Sequence, residues 1–229
     1  MDLPQLVYLG VNSGRAALAA PAVRQALSAA VDRTALAASS YAGRALPATT
    51  LFHPKWRPAA GLSAFSAGSE AGKVNELLQT AQSVPTTAET AATDTATTTV
   101  TTATTTAETA ATDATGVAGA ASVKEVPLTL LYASGNRCRE ALVKVLVQQP
   151  NQAGFQVTAQ PAAYDDYKAQ LAAGNFDLYI GEMRLTPSMN LFVFFRAGGA
   201  GAYGVNTAGE AAQSYAAYRA GEKTAAGCR

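Results

Sequence analysis

The stretch "VPLTLLYASGNRCREALVKVLVQQPNQAGFQVTAQPAAYDDYKAQLAAGNFDLYIGEM", from Val126 to Met183, decides the fold. Its runs of leucine, valine and aromatic residues at 126–133, 154–160 and 176–183 predict three strands. Between them, 136–149 and 164–174 carry apolar residues at helical spacing, and Gly174 can cap the second helix. Strands and helices that alternate in this way form a βαβαβ unit, which requires a parallel or mixed sheet.

The segments on either side of this unit add one strand and three helices. A strand is predicted at Leu6 to Val11, a helix from about Ala19 to Ala38, and another from Ser69 to Ala81. The segment 211–221 predicts a last helix. We therefore expect an α/β fold in which a mixed sheet is flanked by helices.

Arg24 lies on the apolar side of the first of these helices. In "VRQALSAAVDRTAL" (Val23 to Leu36), steps of 100° per residue place Arg24 beside Val31. An unpaired charge costs several kcal/mol to bury, so Arg24 must either extend into solvent or find a partner. We expect a carbonyl or carboxylate partner where the helix packs on the sheet, and an architectural role for this residue.

The bulk composition excludes several classes of function. Seventeen Lys and Arg oppose 16 Asp and Glu in 229 residues, and a net charge of +1 gives no electrostatic basis for binding nucleic acid. Cys138 and Cys228 have no metal-ligand spacing, so no metal site is expected, and whether they pair is left open. No apolar run is long enough to span a membrane, and the N-terminal residues lack the pattern of a signal peptide.

A threonine- and alanine-rich tract occupies Pro85 to Ser122. The nonapeptide "TTAETAATD" occurs in it twice, at 86–94 and 105–113. The tract has too few large apolar side chains to offset the entropy of ordering, so we expect a solvated loop inserted into a single domain. An alternative interpretation is a surface adhesion or interaction module in which this tract is a glycosylated stalk.

No constellation for catalysis stands out. "GAGAYG" (Gly199 to Gly204) has the spacing of a dinucleotide-binding loop after the apolar run "LFVFF", but no later strand remains to carry the ribose-binding acid. His53 lies in a proline-rich loop without a nucleophile motif, and Asp165 with Asp166 suits a helix start. We expect no catalytic residue and no cofactor, with a nucleotide-binding enzyme fragment as a minor alternative.

The candidate binding residues follow the last strand of the βαβαβ unit. Arg184 lies at its carboxyl end, where open α/β sheets place ligands, and can grip a carboxylate with two hydrogen bonds. Glu182 can take a cation, and Tyr203 and Asn206 can stack and hydrogen-bond. The alternative for Arg184 is a surface ion pair with Glu182.

Several segments in order resemble one family. "YLGVN", "APAVRQALSAAVDRTAL" and "YAGRALPATTLFHP", followed by "GKVNELLQTA", "LTLLYA" and "YDDYKAQLAAGNFDLYIGEM", resemble the extracellular solute-binding proteins of family 5, the oligopeptide-, dipeptide- and nickel-binding components of ABC importers. The resemblance covers nearly the whole chain apart from the threonine tract.

This resemblance implies one lobe of a periplasmic-binding-protein-like clamshell (class II, cluster C), with the first lobe and the export signal absent from this chain. It implies a monomer that captures a solute, most often a short peptide, for an ABC permease in the membrane. The full-length parent is then expected outside the cell, as a membrane-anchored lipoprotein or a periplasmic protein. Asn12, which ends the family's first strand of this lobe, joins the candidate ligand-binding residues.

The chain departs from the family at one place. Peptide binders of the family commonly carry an aspartate in a "W.aDypdP" pattern that holds the free amine of the peptide. Here the corresponding stretch is "EMRLTPSMN", with Leu185 near that position and no acid. A different preference, set by Arg184 or Glu182, is expected.

Overall fold

The computed structural model describes residues 5–56, 63–83 and 127–227. The described elements, in chain order, are β1 (Gln5–Val11), a 3-10 turn (Ala16–Leu18), α1 (Pro21–Ala30), α2 (Arg33–Tyr41), α3 (Ala71–Ser83), β2 (Pro127–Ala133), α4 (Arg137–Gln152), β3 (Gln156–Ala162), α5 (Tyr164–Ala173), β4 (Leu178–Arg184), α6 (Phe192–Phe195) and α7 (Glu210–Gly227). Asn136 caps α4 by accepting from two backbone amides, and Gly174 ends α5 in the left-handed conformation.

The four strands form one mixed sheet in the order β1-β4-β2-β3. Strand β2 pairs in parallel with both β3 and β4, whereas β1 runs antiparallel to β4. The predicted βαβαβ unit is therefore confirmed. Since the chain leaves β2 for β3 on one side and returns to β4 on the other, the topology reverses between β2 and β4. In open α/β sheets, ligands bind outside the carboxyl ends of strands at such a point.

Helices cover both faces of the sheet. Alternate residues of β2, Leu128 and Leu130, pack with α1, α3 and α4 in the larger apolar cluster, where Val74 and Leu78 of α3 are buried as expected. The intervening residue Leu131 packs with α5 on the other face. The period of two along β2 separates the two cores.

The predicted helix from Ala19 to Ala38 is two helices. Backbone torsions become extended at Val31 and Asp32, between α1 and α2. The Asp32 side chain accepts a hydrogen bond from the Ala35 amide at 2.8 Å and begins α2 as its N-cap. The continuous apolar periodicity concealed this break, although aspartate is one of the residues preferred at a helix N-cap.

The partner of Arg24 is a pair of backbone carbonyls. Its guanidinium donates to the carbonyl oxygen of Leu18 at 2.8 Å and to that of Ala19. Both carbonyls precede α1, so the partners lie at the helix start and not on the sheet. An architectural role for Arg24 follows from these contacts.

Two expectations lie outside the described residues: the threonine-rich tract at 85–122 and the position of Cys228 relative to Cys138. Cys138 itself is exposed in the first turn of α4 and has no disulfide partner within the described part of the chain. Among the helices described, none is long and apolar enough to cross a membrane.

Candidate functional site

A cavity of about 690 Å³ opens at the carboxyl ends of β2 and β4. Ala133 ends β2 in its wall, Glu182 and Arg184 belong to the end of β4, and Tyr203 comes from the glycine-rich loop. Its volume falls within the range of about 300–1,000 Å³ that is typical of small-molecule sites. Three of the five candidate residues, Arg184, Glu182 and Tyr203, are thus brought together at one cavity.

Tyrosines dominate the wall of this cavity, and sequence reasoning did not find most of them. The five that line it are Tyr8, Tyr164, Tyr167, Tyr179 and Tyr203. Tyr179 meets Tyr203 edge to face, with ring centroids 6.1 Å apart. Aromatic walls of this kind offer apolar contact area and π faces to a bound solute.

Two of these tyrosines are seated on glycines of the neighbouring strand. In the antiparallel register Tyr8 is opposite Gly181, and Tyr179 is opposite Gly10. A Cβ on Gly10 would lie 2.0 Å from the Tyr179 ring, and a Cβ on Gly181 would lie 2.2 Å from the Tyr8 ring. The signal in the sequence is the repeated pattern Tyr-x-Gly, "YLG" in β1 and "YIG" in β4.

The buried phenols of this wall are held neutral. Desolvation raises the pKa of Tyr8, Tyr167 and Tyr179, and for Tyr179 a hydrogen bond with Tyr8 raises the pKa further. Tyr167 donates to the carbonyl oxygen of Ile180 at 2.6 Å, and Tyr179 donates to that of Gly201 at 3.3 Å. These hydrogen bonds hold both phenol groups against backbone carbonyls.

Glu182 is bound by Arg139, a residue that sequence reasoning missed. Arg139 Nε and Nη2 lie 3.0 and 2.8 Å from the same carboxylate oxygen, Oε1. Nη1 of Arg139 donates to the Ala133 carbonyl at 2.8 Å, which ties α4, β2 and β4 together. The ion-pair partner of Glu182 is therefore Arg139 and not Arg184, so the expected alternative of an ion pair between Glu182 and Arg184 is wrong.

Arg184 is exposed at the mouth of the cavity. Its side chain makes no hydrogen bond or ion pair with the described residues. Lys168 of α5 also lines the cavity and pairs with Asp165 at 3.2 Å, a carboxylate whose side chain is 92% exposed. Because Arg184 has no partner among the described residues, its guanidinium is available to a ligand.

Asn12 and Asn206 lie away from the cavity lining. Asn12 is buried at the opposite end of β1, where Nδ2 donates to the carbonyls of Gly174 and Phe176 and Oδ1 accepts from the Gly14 amide. Asn206 is exposed, and its Oδ1 accepts from the Ala208 amide in the loop before α7. Both side chains are engaged in shaping loops.

The glycines of "GAGAYG" have packing roles. The apolar run before them forms α6, a short helix, and not the strand that a dinucleotide-binding loop follows. A Cβ on Gly199 would lie 2.3 Å from the Val193 carbonyl oxygen, and one on Gly201 would lie 2.8 Å from the Phe194 ring. Gly204 has a φ of +68° against Asn12. Close packing accounts for these glycines, so the dinucleotide interpretation is wrong.

Potential metal ligands are scattered in the described part of the chain, where no three His, Cys, Asp or Glu residues cluster. His53 accepts from the Lys55 amide at 3.2 Å in a local turn and does not line the cavity.

A family model described as "Bacterial extracellular solute-binding proteins, family 5 Middle" matches residues 3–201. Among solved structures, the oligopeptide-binding protein AppA from Bacillus subtilis, in complex with a nonapeptide, has a TM-score of 0.64 at 18% identity, over 89% of this chain and 36% of that one. NikA from Staphylococcus aureus, in complex with Ni(L-His)2, has a TM-score of 0.61 at 18% identity, over 89% and 36%. OppA from Haemophilus influenzae, in complex with RPPGFSPFR, has a TM-score of 0.59 at 13% identity, over 89% and 34%.

No curated protein sequence matches the chain. The chain spans about a third of the length of the solved structures to which it is similar. At these identities the likeness concerns the fold, which is the α/β fold of a periplasmic-binding-protein-like lobe.

Proposed function

Because the chain belongs to the family 5 bacterial extracellular solute-binding proteins, we propose that it binds a short peptide in the cavity between the carboxyl ends of β2 and β4. The observation that carries this proposal is the position of the free Arg184 guanidinium at the mouth of a tyrosine-walled cavity at the topological switch point. A peptide offers a carboxylate to Arg184 and apolar side chains to the accessible rings of Tyr8, Tyr164 and Tyr203.

The family description and the fold support a place in transport. A solute held at this cavity would be delivered to an ABC permease in the membrane, with the protein acting outside the cell as a monomer, either in a periplasm or anchored as a lipoprotein. The solved relatives were crystallised with peptides in two cases and with a nickel complex in another.

Native mass spectrometry of the full chain, purified without denaturation, tests the proposal. We expect a co-purified mass that fragments as a peptide, or binding of an added peptide such as RPPGFSPFR. A sugar-like mass, or retention of Ni(L-His)2 without retention of any peptide, would contradict the assignment.

Two matched variants locate the site. Ala200 lines the cavity and also borders a neighbouring groove, whereas Ala197, equally exposed in the same glycine-rich loop, lines only that groove. Ala200→Trp fills the cavity and is expected to abolish peptide binding, while Ala197→Trp leaves it intact. Equal loss in both variants, measured by isothermal titration calorimetry, would place the peptide elsewhere.

A further inference from the structure

The cavity has an unbalanced set of charges. Its charged lining residues are Arg139, Lys168, Glu182 and Arg184, three cations and one anion. No other acidic side chain lines it among the described residues. The balance at the cavity is positive, although the net charge of the whole chain is only +1.

The single anion is already neutralised. Arg139 makes two hydrogen bonds to Oε1 of Glu182, and the other oxygen, Oε2, accepts from Gln5 Nε2 at 3.4 Å. The side chain of Glu182 is 24% exposed and that of Arg139 is 16% exposed, so solvent screens this pair less than a pair on the open surface. The guanidinium of Arg139 therefore offsets much of the negative charge of Glu182, which weakens the attraction of this carboxylate for an ammonium group of a ligand.

The cations are less fully engaged. Arg184 has no partner among the described residues, and its planar guanidinium can accept a carboxylate through two parallel hydrogen bonds. Lys168 is shared between Asp165, at 3.2 Å, and the ring of Tyr164, with Nζ 4.6 Å from its centroid. Because Asp165 is itself nearly fully exposed, Lys168 keeps much of its attraction for an anion in the cavity.

We propose that this site selects solutes by an anionic group, which Arg184 receives, and that it disfavours solutes whose only charge is an ammonium group. Arg139 is a positioning residue in this selection, because it neutralises Glu182 and holds its carboxylate near the carboxyl end of β2 and the first turn of α4. For a peptide, the recognised end is the carboxylate terminus. This inference rests on the proposed function for the location of the site and adds the charge class of the solute.

Three tripeptides of one sequence test the preference in the full chain by calorimetry. N-acetyl-Ala-Phe-Ala is an anion, Ala-Phe-Ala amide is a cation, and N-acetyl-Ala-Phe-Ala amide is neutral. A charged hydrogen-bonded pair is worth roughly 1.5 kcal/mol or more, so we expect the anion to bind at least about tenfold more tightly than the neutral peptide, and the cation to bind most weakly. Equal or tighter binding of the cation would overturn the inference.

The variant Arg184→Gln is expected to bind the anionic and neutral peptides equally. Arg44→Gln, which removes an exposed arginine away from the cavity lining, is the matched control and is expected to keep the wild-type preference. A preference that persists in Arg184→Gln would also overturn the inference.

A second probe pair separates this inference from the peptide assignment. If none of the three peptides binds, the peptide assignment fails, and the full chain is titrated at millimolar concentration with 3-phenylpropionate and with 2-phenylethylamine. Binding of the acid alone, lost in Arg184→Gln, supports anion selection for a solute that is not a peptide. Failure of the acid to bind, or equal binding of the amine, overturns anion selection.

Discussion

Arg24 carries a charge on the apolar side of α1 at little cost, because its guanidinium turns back to the carbonyls of Leu18 and Ala19 before the helix. Leu18 is the last residue of the 3-10 turn, and Ala19 follows it as the C-cap. Backbone carbonyls at the end of a helical turn lack partners within that turn, so they can accept hydrogen bonds from a side chain. One arginine thereby joins the buried turn at Leu18 to the first turn of α1. Arg24 therefore has a structural role, whereas Arg184 lines the cavity.

We predict that Arg24→Met lowers the free energy of unfolding by about 1–2 kcal/mol, because it keeps the apolar stem and removes two hydrogen bonds from a charged donor. Gln25→Met, an exposed neighbour in α1, is the control and is expected to change stability by less than about 0.5 kcal/mol. Urea denaturation at pH 7 measures both. Equal stability of the two variants would remove the structural role from Arg24.

The tyrosines of the cavity wall lead to a pH dependence of stability. Burial raises the pKa of Tyr8, Tyr167 and Tyr179 in the folded chain, whereas the unfolded chain has tyrosines of ordinary pKa near 10. The stabilisation is therefore fully present below about pH 10 and is lost as the pH rises from there toward the folded pKa values.

We expect the free energy of unfolding to fall between about pH 9.5 and 11, and to fall less steeply in Tyr179→Phe, which removes one of the ionising groups. Absorbance at 295 nm should show that part of the tyrosine complement ionises only when the protein unfolds. A flat unfolding free energy across this range, with all tyrosines ionising near pH 10 in the folded state, would contradict the burial of these phenols.

The antiparallel pairing of β1 with β4 sets a tyrosine of each strand opposite a glycine of the other strand. Each strand places a tyrosine over a glycine of the other, so the two rings lie close to the sheet and form the floor of the cavity. Of the two glycines, Gly10 is under the more constrained ring, because Tyr179 is only 1% exposed and packs edge to face on Phe176 at 5.2 Å. There is little space into which that ring can move.

Gly10→Ala is predicted to destabilise the protein by about 1–3 kcal/mol, because a Cβ 2.0 Å from the Tyr179 ring must displace it. Gly72→Ala in α3 is the matched control: a Cβ there meets nothing within 4 Å, so the change should leave stability equal or higher by up to about 1 kcal/mol. Thermal unfolding followed by circular dichroism compares the two. A neutral Gly10→Ala would mean that the ring is free to move.

Local periodicity was sufficient to place most elements, because strands and helices reflect the spacing of apolar side chains along the chain. It found β1, β4 and the two helices of the βαβαβ unit to within a few residues. The division at Asp32 was missed, since Leu27, Val31 and Leu36 remain in apolar contact on both sides of the break. An N-cap acts through one hydrogen bond, which leaves no trace in hydrophobic periodicity.

The site was predictable only in part. Arg184 and Glu182 follow from the rule that ligands bind at the carboxyl ends of strands, and Tyr203 was chosen in the glycine-rich turn after them. Arg139, Tyr8 and Tyr167 come from other elements, and their arrival at the cavity depends on the strand order and on the antiparallel register of β1, neither of which local sequence determines. Asn12 was chosen by its place in a family pattern, and its buried hydrogen bonds to Gly174 and Phe176 could be known only from the packing.

At the scale of the whole molecule, we propose that the chain is a single lobe and that residues 85–122 are an insertion within it. In the described part, α3 packs on α1 in the same apolar cluster that β2 joins, so the elements before and after the tract share one core. We predict that deletion of 85–122 leaves the thermal unfolding temperature and the far-ultraviolet circular dichroism signal per folded residue nearly unchanged. An unfolded deletion variant would contradict the insertion, and a folded variant that loses only attachment to a surface would favour the stalk interpretation.

The position of the bound solute is the property on which the proposed function most depends. The most direct measurement is a titration of the isotopically labelled full chain with N-acetyl-Ala-Phe-Ala, followed by the backbone amide shifts. We predict that the shifts cluster at the cavity, at Ala133, Gly181, Arg184 and Ala200, and that they are absent in Arg184→Gln at the same peptide concentration. Shifts confined to α6 and residues 196–199, or shifts that persist unchanged in Arg184→Gln, would show that this cavity is not the binding site.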